Sequence, residues 1–201
     1  MNQPDEKLCM ALARAALRWV TEFTVQALAN MAWTFATVKQ PQEKLFLALA
    51  RAAEWRVSEL NVQELANTAR AFAKMNQPDE KLFTAVERAA KRRVSEFSAK
   101  ELAKTAWAFA KMKQQYDELF MALARAAERR VGELNVQHLA NTSWAFATVK
   151  QPDETLLTAL ARATKRLVSQ FNGQALPNMA WAFATVKQPN EKLFTALART
   201  G

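Results

Sequence analysis

Between Val62 and Ala73 the apolar residues Val62, Leu65, Ala66, Ala69, Phe72 and Ala73 fall mostly three and four positions apart, with polar residues in the gaps. That period places them on one face of an α-helix. The Gln77-Pro78 step ends the helix, because the residue before a proline is pushed out of the α region while proline itself suits the first turn of a new helix. A second helix follows, with Leu82, Phe83, Val86, Ala89, Ala90 and Val94 on its apolar face. Its first turn holds Asp79 and Glu80 and its later turns hold Arg88, Lys91, Arg92 and Arg93, the polarity that a helix macrodipole favours. Asn61 followed by Glu64, and Ser98 followed by Glu101, read as helix N-caps with capping partners. One unit therefore opens at residue 61 and the next at residue 98.

The pattern recurs. Leu28, Leu65, Leu102, Leu139 and Leu176 are each 37 residues apart, with no insertion anywhere. A period of this size marks stacked units, none of which can bury its apolar face without a neighbour. Short links and only 3 glycines leave no strand signal, so the expected fold is all-α: a right-handed α-solenoid of 37-residue antiparallel helix pairs. Residues 1–201 read as a single array, with a half-repeat at 2–23, full repeats at 24–60, 61–97, 98–134 and 135–171, and an incomplete repeat at 172–201. Asn2 to Lys7 repeat Asn76 to Lys81 word for word, so the array starts in mid-phrase and reads as a fragment of a longer one. Two departures stand out. Gln115-Tyr116-Asp117 lacks the proline of the other links, which predicts a looser turn, and Gly173 with Pro177 delays the last first-helix to about Leu176.

The phrase Leu-Ala-Asn-Thr-x-Trp-Ala-Phe-Ala, then Pro, then Leu-Phe-x-Ala-Leu-Ala-Arg-Ala, resembles the octotricopeptide and heptatricopeptide (OPR/HPR) repeat families over essentially the whole chain. The 37-residue length is similar to the heptatricopeptide variant. The resemblance implies an array that binds single-stranded RNA in a chloroplast or mitochondrion, acting in RNA processing, stability or translation. Nothing in the chain resembles the nuclease-like RAP domain that often accompanies such arrays.

Comparison between repeats singles out a row on the first helix, at the third, seventh, tenth and fourteenth positions of the unit, set apart from the apolar stripe by spacings of four, three and four. It reads Gln26, Asn30, Trp33, Thr37; Gln63, Asn67, Arg70, Lys74; Lys100, Lys104, Trp107, Lys111; Gln137, Asn141, Trp144, Thr148; and Gln174, Asn178, Trp181, Thr185. Amides can bond a base edge, and tryptophan or arginine planes accept stacked bases. The same tryptophans equally fit packing between helices, and the asparagines fit a structural hydrogen-bond ladder. Arg70 in a tryptophan position favours an accessible site, because an unpaired guanidinium is costly to bury. The eighth position varies as Met31, Thr68, Thr105, Thr142 and Met179, which suits readout or an unconstrained surface.

A net charge of +9 would draw in polyanions. Lys74, Lys111, Arg51, Arg88, Arg125 and Arg162 are the candidates for phosphate contact, the arginines also fitting bonds to a neighbouring loop or acid. The single cysteine, Cys9, stands where other repeats carry Phe46, Phe83, Phe120, Leu157 and Phe194, and reads as a core residue. No glycine-rich phosphate loop, paired histidines or nucleophile-base spacing points to catalysis, and no apolar run approaches the ~18 residues of a membrane span. The expected partner is single-stranded RNA, with no cofactor, metal, membrane or small-molecule substrate, and with protein partners possible. A protein-interaction scaffold of the tetratricopeptide kind is the competing reading, and the net charge and the resemblance tip the balance towards RNA.

Overall fold

The computed structural model of the chain describes residues 6–38, 42–75, 79–112, 114–149, 153–171, 173 and 175–186. Among them are ten α-helices and no strand: α1 (Glu6–Trp19), α2 (Val25–Val38), α3 (Glu43–Trp55), α4 (Val62–Met75), α5 (Glu80–Arg93), α6 (Ala99–Lys111), α7 (Asp117–Arg129), α8 (Val136–Thr148), α9 (Glu154–Leu167) and α10 (Ala175–Thr185). Even-numbered helices are the first helices of their repeats and odd-numbered ones the second. The chain divides into two compact units, Met1–Arg92 and Arg93–Gly201. In the first, α2 lies beside α4, α1 lies beside α3, and α2 packs on α3. In the second, α8 lies between α6 and α10, α7 lies beside α9, and α6 and α8 pack on α7 and α9. Each unit is thus two layers, first helices stacked on one side and second helices on the other. This is solenoid packing, as the 37-residue period predicts.

The core between the layers is written in the repeated positions. Leu28, Leu65, Leu102 and Leu139 are buried on first helices, and Leu45, Leu82, Leu119 and Leu156 on second helices. Phe46 of α3 meets Phe72 of α4 edge to face at 5.5 Å, and Phe120 of α7 meets Phe146 of α8 in the same way at 5.3 Å. Such pairs are worth roughly 0.5–1.5 kcal/mol beyond their burial. Cys9 is buried, consistent with its place in the phenylalanine column.

Caps define where helices begin. The Asn61 and Glu64 pair forms the expected box, the Glu64 amide donating to Asn61 Oδ1 (2.9 Å) and the Asn61 amide to Glu64 Oε2 (2.8 Å). Ser98 departs from it, since its hydroxyl donates to the Glu101 carboxylate and caps no amide. Asp79 and Asp153 cap the second helices by accepting from the amides of Leu82 and Leu156, both at 2.9 Å. Beyond three of those helices the chain tightens into a 3₁₀ turn, Val94–Glu96, Val131–Glu133 and Val168–Gln170. Just past the second helices an arginine meets the acid three residues on, at the 3₁₀ turns in Arg93 to Glu96 (2.9 Å) and Arg130 to Glu133 (3.3 Å), and in an ordinary turn in Arg56 to Glu59 (2.6 Å). Arg56 also donates to the Phe23 carbonyl (2.5 Å) and Arg130 to the Ser95 carbonyl (3.5 Å), each in the preceding repeat.

The proline-free link is anchored where a looser turn was expected. Tyr116 is buried, its ring edge-on to Phe109 at 4.7 Å and its hydroxyl bonded to Gln114 Oε1. An aromatic packed against the preceding helix replaces proline's backbone restraint with side-chain burial. Helix α10 starts at Ala175, with Pro177 inside its first turn, where a missing amide costs nothing. The Gln-Pro steps at 40–41, 77–78 and 151–152, the mid-phrase start before Glu6, and the second helix of the last repeat lie outside the described residues.

Candidate nucleic-acid interface

Small residues on the first helices let neighbouring copies approach closely. Ala32, Ala69, Ala106 and Ala140 are buried, so the larger residues of the row are pushed to the outer edge of the layer. The tenth position there becomes a ladder. In the second unit the rings of Trp107 and Trp144 stand 6.4 Å apart with a 37° tilt, and those of Trp144 and Trp181 stand 6.4 Å apart with a 34° tilt. In the first unit the Arg70 guanidinium lies over the Trp33 ring at 5.0 Å. Trp33, Arg70, Trp107 and Trp144 are half-buried and Trp181 is exposed. The tryptophans are thus neither core nor free platforms. Each supports the next and leaves an edge open.

Cations sit on the ladder. Lys74 Nζ lies 4.9 Å from the centre of the Trp33 ring and donates to Thr37 Oγ1 at 3.4 Å, and Lys111 Nζ lies 5.3 Å from the centre of Trp107. Contacts of this kind contribute on the order of 0.5–1 kcal/mol at exposed sites. Partial burial pushes the Arg70 pKa below its ordinary value, yet a guanidinium stays charged at any physiological pH. In the three repeats without a lysine there, Thr37, Thr148 and Thr185 donate to the carbonyls of Trp33, Trp144 and Trp181 (2.9, 2.8 and 2.8 Å). Those hydroxyls are committed to the helix.

The seventh position runs alongside: Asn30 and Asn178 are exposed, and Asn67, Lys104 and Asn141 are half-buried. Between α8 and α10 this row opens into a cleft of about 390 Å³ lined by Asn135, Gln137, Asn141, Gln170 and Asn178. Five amide side chains there offer donors and acceptors together, next to the Trp144–Trp181 step. Of the third position, Gln26, Gln63, Lys100 and Gln137 are exposed, and Gln174 lies outside the described residues. Asn135 and Gln170 were not singled out from the sequence. Asn135 already caps α8 through the His138 amide (2.9 Å), and Gln170 stands where three earlier repeats carry their ion-paired glutamate, so only contact between neighbouring helices reveals them.

The eighth position requires a correction. Thr68, Thr105, Thr142 and Met179 are buried and Met31 is half-buried, because this position turns inward beside the apolar stripe. Met179 Sδ even accepts from Thr164 Oγ1 of α9 at 3.7 Å. None of these four buried side chains can reach a ligand on the open edge. The phosphate candidates also separate. Lys74 and Lys111 join the ladder, whereas Arg51, Arg88, Arg125 and Arg162 are exposed on second helices. Arg51 projects from α3 on the side away from Leu45, Phe46, Leu49 and Ala50, and so lies across the two-layer unit from the row. The arginine bonds to a neighbouring loop and an acid fall on Arg56 and Arg130, five residues further along, at the ends of α3 and α7. Among the described residues no group of three or more histidines, cysteines or acids could hold a metal, and no helix is long and apolar enough to cross a membrane.

Fold and site together define an all-α helical-repeat protein whose first helices, in each unit, carry a ladder of planar, amide and cationic side chains along an open edge. The family model of the RNA-editing substrate-binding complex 6 protein (RESC6) matches residues 2–200, and the chain belongs to that family. No curated protein matches it. The family match supports a helical-repeat protein without singling out the octotricopeptide or heptatricopeptide type.

Proposed function

We propose that the open edge of the first helices binds single-stranded RNA, about one base to each repeat. The observation that carries the reading is the half-open ladder of Trp33–Arg70 and Trp107–Trp144–Trp181, flanked by amides and by Lys74 and Lys111. Base faces stack on aromatic and guanidinium planes for about 1–3 kcal/mol each. Asn30, Asn67, Asn141, Asn178 and Lys104 then meet the base edges, and the lysines meet phosphate. The family name speaks of an RNA-editing substrate-binding complex, which supports an RNA ligand and protein neighbours for this chain as well. The resemblance to octotricopeptide and heptatricopeptide arrays extends the proposal to organellar RNA processing, stability or translation. The module acts by binding, with no chemistry of its own.

The test is a fluorescence-anisotropy titration with labelled single-stranded and duplex RNA across a salt series. Single strands should bind with log affinity falling linearly in log salt, duplexes more weakly, and Trp144→Ala should reduce single-strand affinity at least fivefold. Absence of binding at low salt, or binding indifferent to Trp144→Ala, would remove the proposal.

A further inference from the structure

The turn after each second helix carries an acid, Glu22, Glu59, Glu96 and Glu133, until the last, which carries Gln170. The arginines that pair with three of those acids, at 56, 93 and 130, give way to Leu167 in the same repeat. A second column changes with it. The fourth position of the first helix runs Ala27, Glu64, Glu101, His138 and Ala175, so the last repeat lacks the larger polar side chain of the three before it. In the pairs α2 with α4 and α6 with α8 the equivalent residues are Glu59 with Glu64 and Glu133 with His138. Glu59 and Glu133 are held by arginines and Glu64 by the Asn61 cap. Between α8 and α10 the two changes together leave the cleft of about 390 Å³, floored by the buried Ala140 and Ala175 and rimmed by Gln137, Asn141, Gln170 and Asn178. None of the described residues lining it is charged.

Exchanging an acid for an amide changes what the site can bond. A carboxylate only accepts, whereas a primary amide donates and accepts in one plane. An amide therefore meets a donor beside an acceptor on a base edge with two bonds, while a carboxylate meets only two donors side by side, which guanine alone offers on its Watson-Crick edge. The volume lies at the small end of ligand pockets, enough for one nucleoside. We propose that this cleft is the chain's sharpest reading position: it admits one unstacked base beside the Trp144–Trp181 step, and Gln170, on the turn rather than on a first helix, sets which base is favoured. The proposal rests on the reading of the first-helix edge as an RNA site. It adds that one repeat discriminates where its neighbours mainly stack, and that a residue between helices does the discriminating.

The test selects bound sequences from a randomised single-stranded RNA pool with the parent, Gln170→Glu, Gln170→Met and Ala175→Glu proteins, each checked for parental helicity and melting. Gln170 is exposed, and glutamate already stands at the fourth position of two other repeats, so the fold tolerates these changes. The parent should show one position with about tenfold discrimination between bases, the usual worth of a bidentate pair on a base edge. Gln170→Met, neutral but unable to form the pair, should flatten that position. Gln170→Glu should leave guanine as the one base favoured there, and Ala175→Glu, which fills the cleft, should erase the preference while binding to the pool persists, because the tryptophan stack is untouched. If the parent binds single strands through Trp144 but all four proteins select the same sequence, the cleft proposal falls and the RNA reading stands. Uniform weakening in Gln170→Glu with Gln170→Met unchanged also overturns it, since the carboxylate then only repels phosphate. Absence of binding by all four proteins removes both.

Discussion

Three threonine hydroxyls, on Thr68, Thr105 and Thr142, are buried on successive first helices with no hydrogen-bond partner. An unpaired buried hydroxyl costs roughly 1–3 kcal/mol, whereas valine has the same shape and leaves nothing unpaired. Replacing any one of them by valine should therefore raise the denaturant midpoint by the equivalent of about 1 kcal/mol and leave RNA affinity within twofold. A loss of stability in Thr105→Val would mean that the hydroxyl has a partner after all. These residues also show where residue-level reading stopped. Variation at the eighth position looked like readout, but the pattern of spacings cannot distinguish a position at the rim of the apolar stripe from one just beyond it. The seventh and tenth positions were legible because both differ in kind from the stripe. Their partition between packing and exposure was not, since it depends on the 6.4 Å approach of neighbouring rings.

Helices and their boundaries were the most legible level, because a 37-residue repeat multiplies every local signal by the number of copies. Asn61, Asp79 and Asp153 cap as their types predict. The 3₁₀ turns were hidden, since they follow no apolar period: Arg93–Glu96 and Arg130–Glu133 close two of them, Leu167 and Gln170 stand at the third, and the Arg56–Glu59 pair closes an ordinary turn. Those pairs set a pH dependence. The hydrogen bond from Arg56 holds Glu59 below the usual carboxylate range, and Arg93 does the same for Glu96. A carboxylate whose folded pKa is lowered stabilises the fold above its unfolded pKa, and that contribution disappears as pH falls through the lowered folded value. Glu59→Gln should therefore lower the melting temperature at pH 7, and the gap to the parent should close only in acid below the ordinary glutamate value of about 4.3. A gap between parent and variant that is the same at every pH would contradict the pairing. At the helix start, Asp153→Ala should cost about 1 kcal/mol in chemical denaturation, the usual worth of an N-cap.

At the scale of the whole molecule, the net charge is +9, and its cations include Lys74 and Lys111 on first helices and Arg51 and Arg125 on second helices. If RNA follows the ladder, charges on that edge neutralise phosphate and those on the second helices act only through the long-range field, screened within about 10 Å at 0.1 M salt. Replacing Lys74 and Lys111 by glutamine should flatten the salt dependence of RNA binding by up to two released counterions, roughly 0.7 each for single strands. The pair Arg51→Gln and Arg125→Gln should leave the slope nearly unchanged. The reverse order would put the ligand on the second helices. The ladder has one more consequence. Indole rings 6.4 Å apart and tilted by 34–37° hold their transition dipoles close enough to couple, so Trp107, Trp144 and Trp181 form an optical gauge of the spacing between adjacent helices. Stretching or compressing that stack, whether by a strand lying along it or by a pull on its ends, changes the exciton signal in circular dichroism, and the molecule reports its own strain without a label.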